Sequence, residues 1–329
     1  MMVRQEGFFK SANGIYNVKY YIGLPETTPR AVVQIVHGMK EHIGRYDEVF
    51  EYLCSCGYVV CGCDHIGHGE SVNSDEDRIF FAEKDGDKAV ISDVGTLHDM
   101  MKKKYRTLPY ILLGHSFGSF VSRAYAATHK DAIDGLILSG TMGQKMPVAF
   151  GKAFCKLLEK IYGSHHRSKL ITKITFMGYN KPYKNESNFQ YSWLSTDPEA
   201  TKKCKSDSRY NFDFTVSAYR DMFSIIEYIQ SDEWYEDMPK NLPIFIIAGE
   251  FDPVSKNTEG LYPMMEKLHD NDVSNIEFKI YEGERHEPLT GLTRQTAFKD
   301  VSEWIDEQIE GVIEARRQSI NAMSDFMKD

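Results

Sequence analysis

Apolar and polar positions fall into blocks along the first half of the chain, and the period changes regularly from block to block. Residues 6–22 form two strand-like runs around Asn13-Gly14, a dipeptide suited to a tight hairpin because both turn positions need positive φ. Residues 31–36 (AVVQIV) are apolar almost throughout, as in a strand covered on both faces. A helical period follows over 46–56, with Val49, Phe50, Leu53 and Cys54 on one side and Gly57 ending it. Residues 58–63 read as the next strand. The cycle then repeats as helix 87–104 (Val90, Val94, Leu97, Met101), strand 110–113, helix 116–128 and strand 136–139. Such alternation, with short connections, predicts an α/β fold whose central sheet is mostly parallel and has helices on both faces.

After Gly140 the alternation stops. It resumes with strand 244–248, helix 257–269, strand 276–281 and a last helix over 294–313. The interruption is too long for a loop and carries helical stripes of its own. Phe150, Phe154, Leu157 and Ile161 make one stripe; Tyr219, Phe223 and Ile226 make another. The expected organisation is one discontinuous core, 1–140 and 230–312, with a helical cap inserted at 141–229 and a polar helical tail at 313–329. No repeat of solenoid period is present.

Composition adds exclusions. The chain is 42% apolar and 26% charged, which is globular rather than disordered. Its net charge is -9 and it has no long basic block, so it is a poor binder of nucleic acid. The longest apolar runs (58–63, 110–113, 243–248) are far shorter than the roughly 20 residues of a membrane-crossing helix. Residues 1–10 lack a secretory layout. These features point to a cytoplasmic protein, with peripheral membrane contact through the cap as a further expectation. Cys54, Cys56, Cys61 and Cys63 are spaced unlike paired zinc ligands, and strand alternation sends Cys61 and Cys63 to one face as small core residues. Cys155 and Cys204 have no evident partner, so reduced thiols are the default.

The chemistry centres on Gly114-His115-Ser116-Phe117-Gly118. This G-x-S-x-G run lies between a strand and a helix, the setting in which a serine stands on a sharp, strained turn. A hydroxyl needs a base, and the base needs a carboxylate to orient it. Asp252 follows strand 244–248 and His286 follows strand 276–281, in the chain order Ser, Asp, His and beyond strand ends where open α/β sheets place their sites. Glu250 competes with Asp252; His269 falls inside a helix, and Asp64 precedes the serine. An oxyanion needs two donors. The Phe117 N–H is one, and the Met39 N–H, in His37-Gly38-Met39-Lys40 after the first buried strand, is the other.

At these motifs the sequence resembles the α/β-hydrolase superfamily, and within it the monoacylglycerol lipase and lysophospholipase branch grouped with the serine aminopeptidases. Further matching segments are Glu41-His42 and Arg45-Tyr46 after Val36-His37-Gly38, the run 64–71 (DHIGHGES) and the run 191–197 (YSWLSTD). The resemblance implies Ser116, Asp252 and His286 as a triad, Met39 and Phe117 as oxyanion donors, and hydrolysis of a carboxylic ester with neither metal nor organic cofactor. His37, Gly38, Glu41, His42, Arg45 and Tyr46 are expected to hold the oxyanion loop, and His65 and His68 to shape a turn. Met39, Lys40 and Ile66 depart from the commoner pattern and bear on the width of the acyl entrance. The apolar insert favours a small lipid-like ester, a monoacylglycerol or lysophospholipid. His165-His166-Arg167 reads as a solvated basic loop rather than a phosphate site. Short-chain esterase or thioesterase activity, a prolyl iminopeptidase using Glu186, Asp197 or Glu199, and ligand binding without turnover are the rival readings. Dehalogenase and epoxide hydrolase chemistry needs a carboxylate at 116.

Overall fold

A computed structural model describes residues 2–186, 189–210 and 212–326. Its strands are β1 (Val3–Lys10), β2 (Asn17–Leu24), β3 (Ala31–Val36), β4 (Tyr58–Cys63), β5 (Tyr110–His115), β6 (Gly135–Ser139), β7 (Ile244–Gly249) and β8 (Ile276–Tyr281). They form one open sheet in the order β1-β2-β4-β3-β5-β6-β7-β8. The β1–β2 hairpin and the β2–β4 pair are antiparallel, and every pair from β4 to β8 is parallel. The β1–β2 connection spans residues 11–16 rather than a two-residue turn at Asn13-Gly14: Asn13 Oδ1 accepts the N–H of Ile15 at 2.8 Å, and of that pair Gly14 alone takes positive φ, 70°.

The helices are α1 (Asp47–Ser55), α2 (Gly86–Lys104), α3 (Phe117–Thr128), α4 (Val148–Tyr162), α5 (Lys169–Thr175), α6 (Phe189–Ser192), α7 (Pro198–Ser206), α8 (Val216–Ile229), α9 (Asp232–Asp237), α10 (Tyr262–Asp270) and α11 (Arg294–Phe326). Side-chain alternation explains why β3 is apolar throughout. Ala31, Val33 and Ile35 pack with α1 and α11, while Val32 and Val36 face α2 and α3 on the other side. Gln34 is fully buried among them but satisfied, donating to Val94 O and accepting from the Tyr110 hydroxyl. In β4, Val59, Cys61 and Cys63 share one face and Tyr58 and Val60 the other, against which Cys54 of α1 packs. The four clustered cysteines therefore do not converge.

Helices α4 to α9 lie between β6 and β7. α8 packs on α2, α3 and α4, and Arg123 of α3 donates to Met142 O at 2.7 Å and to Ile229 O at 2.8 Å. One buried guanidinium thus ties down both ends of the insert. No helix among the described residues is long and apolar enough to cross a membrane.

Three further sequence expectations need correction. The helix expected at 257–269 begins only at Tyr262, because Lys256, Asn257 and Thr258 all adopt positive φ and break the helical path. The last helix runs unbroken to Phe326, so the backbone has no break at 313; residues 327–329 lie outside the described part. The stripe of Phe150, Phe154, Leu157 and Ile161 lies mostly outside the core, with Phe154 alone of the four packed against it. Phe150, Leu157 and Ile161 face solvent, while Val148 and Cys155 make the buried side of α4.

Candidate active site

Because β3, β5, β7 and β8 run parallel, the loops that follow them gather at one edge of the sheet. Ser116 stands between β5 and α3 with φ 51° and ψ −120°, a conformation that costs an L-residue of order 1–3 kcal/mol. Close packing holds it there. A Cβ on Gly118 would meet Val36 O at 2.0 Å, and one on Gly114 would meet Ser122 Oγ at 2.5 Å. Both glycines of the motif are needed for lack of space, so the turn is pressed against the end of β3.

His286 Nε2 lies 2.8 Å from Ser116 Oγ, and His286 Nδ1 lies 2.9 Å from Asp252 Oδ1. A carboxylate can only accept, so Nδ1 carries the proton and Nε2 is left to accept from the serine hydroxyl. Asp252 Oδ1 also accepts the Val254 N–H at 2.9 Å, which fixes the carboxylate. Asp252 and His286 are buried. Burial by itself would depress the imidazole pKa, but the Asp252 charge and hydrogen bond, with Glu287 and Glu41 behind them, outweigh it and raise the pKa above 6.5. The competing residues lie elsewhere. Glu250 accepts the Gly283 N–H, Asp64 accepts those of Ile43 and Glu70, and His269 sits on α10.

The loop after β3 is held by a buried polar network. Glu41 Oε1 accepts from the Gly38 N–H and the Tyr46 hydroxyl. Arg45 bridges Glu41 and Glu287, with its Nη2 at 2.8 Å from Glu287 Oε2, and Nη2 also donates to Cys204 Sγ. The guanidinium holds the buried Glu287 carboxyl down at about 2 against the upward pull of desolvation. His42 Nε2 donates to Asp207 Oδ2 at 2.7 Å. His37 Nε2 accepts the His65 N–H at 2.9 Å, His65 Nε2 donates to His37 O, and His68 Nε2 accepts the Lys40 N–H. Burial pushes the imidazoles down, to about 4 for His65 and about 3 for His68, so both stay neutral and act as spacers of the loop. Among the described residues, neither the Met39 nor the Phe117 N–H has a protein acceptor, which leaves both free for an anion beside Ser116.

Above Ser116 and His286 opens a pocket of about 810 Å³, its mouth included. Its walls are mostly apolar: Met39 and Phe120 from the core, and Met142, Met146, Phe176, Trp193, Leu194, Met222, Phe223 and Ile226 from the insert. Phe223 and Ile226 belong to the stripe read in α8. The carboxylates an aminopeptidase would need lie away from the pocket: Glu186 pairs with Arg285 at 2.7 Å, Asp197 caps α7, and Glu199 is exposed. The basic loop is also differently used, since Arg167 spends its guanidinium on the carbonyls of Glu76, Arg78 and Asp213.

The family described as serine aminopeptidase, S33, matches residues 27–292. The chain belongs to this family. It is 28% identical to a monoglyceride lipase homolog of monkeypox virus over 90% of this chain and 96% of that one. To a monoacylglycerol lipase of Mycolicibacterium smegmatis it is 25% identical, over 92% and 97%. The crystal structure of a highly thermostable carboxyl esterase from Bacillus coagulans, in complex with glycerol, superimposes with a TM-score of 0.84 at 32% identity, over 95% of this chain and 100% of that one. The fold is that of the α/β-hydrolases, and the relatives place the chain in their monoacylglycerol lipase-like branch.

Within this family member, several residues of the site were beyond sequence reasoning. Trp193 lies with its ring centroid 4.9 Å from that of His286, its carbonyl accepts the His286 N–H, and Leu194 O accepts the Glu287 N–H. The run 191–197 is thus a clasp between insert and histidine loop. Asp207, Asp213 and Glu287 complete the loop network through His42, Lys40 and Arg45. Only Glu287 carried a signal, its adjacency to His286; the other two lie more than 160 positions from their partners.

Proposed function

We propose that this protein is a serine esterase that cleaves small lipid-like esters, monoacylglycerols or lysophospholipids, through an acyl-enzyme on Ser116. The observation that carries the reading is the unbroken Ser116–His286–Asp252 hydrogen-bonded chain at the floor of an apolar pocket. His286 takes the Ser116 proton as Oγ attacks the acyl carbonyl, and Asp252 stabilises the imidazolium that forms. The N–H groups of Met39 and Phe117 hold the oxyanion. His286 then protonates the departing alcohol, and water, activated by the same imidazole, releases the acid. The printed names of the relatives, lipases acting on monoglycerides and a carboxyl esterase, support an ester substrate.

In this reading residues 1–140 and 230–312 are the working core, 141–229 the lid that supplies the acyl walls, and 313–329 a tail outside the chemistry. The protein works in the cytoplasm and meets membranes peripherally through the lid. The aminopeptidase alternative is disfavoured because the two carboxylates bordering the pocket, Glu41 and Glu287, are already committed to Arg45. Labelling with a fluorophosphonate, followed by turnover on monoacylglycerols, lysophospholipids, short p-nitrophenyl esters and a proline amide, tests the proposal. Labelling at Ser116 and preference for the long-chain esters are expected. Absence of labelling in the folded protein sinks the serine mechanism, and a tenfold preference for the amide sinks the substrate class.

A further inference from the structure

We propose that β8 pairs antiparallel with β8 of a second copy of this chain, centred on Phe278, so that two subunits share one continuous sheet. The proposal concerns the edge of the sheet and does not depend on the ester reading above. β8 ends the sheet and has a neighbour only in β7. Asn275 O accepts the Ile244 N–H at 2.9 Å and Tyr281 O accepts the Glu250 N–H at 3.1 Å, so odd-numbered residues along β8 turn their backbone groups toward β7. Even-numbered residues turn theirs outward, and the N–H and C=O groups of Phe278 and Ile280 meet no partner among the described residues. A row of unpaired groups of this kind is a template for another strand.

The side chains identify the occupant and the register. Only outward-turned residues can exchange backbone bonds across the new pair. Centred on Phe278, the pairing joins Phe278 to Phe278 and Ile280 to Ile276, and sets Glu277 opposite Lys279 twice by symmetry, in the close non-hydrogen-bonded positions. Moving the centre to Glu277 or to Lys279 would oppose that residue to its own copy, and like charges directly opposite are destabilising. The strand is therefore self-complementary in one register. Its charges are also in reserve: Glu277 is exposed and forms no ion pair among the described residues, and Lys279 reaches only Asp300, at 3.8 Å. Ile280 is 39% exposed on the face where Phe278 meets Tyr262, and Ile276 of the second copy would cover it. The opposite edge offers less. On β1, Arg4 is paired with Asp47 at 2.7 Å and Glu6 with Lys19 at 3.2 Å, so those charges are spent within the subunit.

The pairing also fixes how the two sites stand. A two-fold axis perpendicular to the sheet relates antiparallel edge strands, and the interface is the same patch on both subunits. The strand ends that carry Ser116, Asp252 and His286 then point in opposite directions in the two copies. Each subunit keeps its own Ser116–His286–Asp252 chain, so association should leave turnover per subunit as it is.

Sedimentation equilibrium of the full chain across the micromolar range should show a reversible dimer. E277K alters an exposed side chain, turns both symmetric pairs into like charges and should weaken the dimer about tenfold or more. K279E should do the same. The swapped variant E277K/K279E restores opposite charges and should return to within about threefold of the parent. Thermal unfolding and hydrolysis of p-nitrophenyl butyrate, followed on each variant, report whether the subunit is folded. A chain that stays monomeric throughout that range overturns the proposal, as does a dimer indifferent to E277K or a folded E277K/K279E protein that fails to recover. A dimer that R4E/E6K dissociates and E277K does not belongs to β1, and likewise overturns it. If a charge reversal does not fold, E277Q, which only removes the attraction, should weaken the dimer about threefold, and an unchanged dimer overturns the proposal. A folded dimer without any ester turnover would instead count against the esterase reading and leave the strand pairing standing.

Discussion

Ser116 and Asp252 hang from β5 and β7, strands hydrogen-bonded on both sides within a parallel sheet, whereas α4 and α5 each pack on one side and show the other to water. The strand ends allow little adjustment. Carbonyl oxygens and side chains occupy the space where a Cβ at Gly114 or Gly118 would go. The outer insert tolerates change of shape, because its exposed side chains touch few neighbours. Between these extremes lies α8, which belongs to the insert by sequence but is buried on α2 and α3. The difference teaches that the proposed chemistry is attached to the least compliant part of the molecule, and that the insert is compliant only away from α8.

The sharpest test of the rigid side removes the charge that sets the base. Asp252→Asn should lower turnover by about 10⁴-fold, since the amide favours the wrong imidazole tautomer while leaving the shape intact. In the proposed mechanism His286 must be neutral to accept the serine proton, and its pKa is raised above 6.5 by groups led by Asp252, against burial. Activity should therefore fall as pH drops through a value above 6.5. Without the Asp252 charge, burial dominates, and the residual activity should keep its acid limb at lower pH. A pH–rate profile of both proteins checks the direction; an unmoved limb would mean that Asp252 does not act on His286.

This contrast also explains what could be read from the chain. Strands such as 31–36 and the spacing of Ser116, Asp252 and His286 were legible because a parallel sheet imposes local order: buried strand, tight loop, helix. The loop network was half legible. Glu41 and Arg45 are one helical turn apart, but Glu287 and Cys204 reach Arg45 only through the tertiary fold. The stripe in α4 was visible as a period, yet periodicity says that residues share a face, not which way the face points. A quarter-turn round from it, Gly151 has its ideal Cβ position 2.8 Å from Phe223, so the small residue marks the packed side. The break at 256–258 left no trace either, since lysine, asparagine and threonine in left-handed conformations carry no common sequence signal.

Where the two regions meet, the Arg45 cluster should hold them together. Arg45→Leu leaves Glu41 and Glu287 buried without their cation, and breaking a buried pair from one side costs about 3–5 kcal/mol. Denaturant unfolding should register that loss. Because Glu41 also accepts the Gly38 N–H, turnover on soluble esters should drop along with stability. A loss below about 1 kcal/mol would indicate that the seam is held by the 191–197 clasp rather than by Arg45.

The smallest expected effect, that of Phe150→Ala, is read against the same residue type on the facing helix. Phe223 on α8 is buried against the α4 backbone and lines the pocket, while Phe150 on α4 points outward. Phe223→Ala opens a cavity and should cost about 3–5 kcal/mol, less whatever the pocket mouth lets water recover. Phe150→Ala removes a ring already in water and should change stability by no more than about 0.5 kcal/mol. Thermal unfolding of the two variants side by side measures the asymmetry of the insert directly, since residue type and helix setting are matched. Equal losses would mean that the α4 face is covered in solution by the chain itself, and the partition of the insert into a fixed α8 and an open α4 would have to be abandoned.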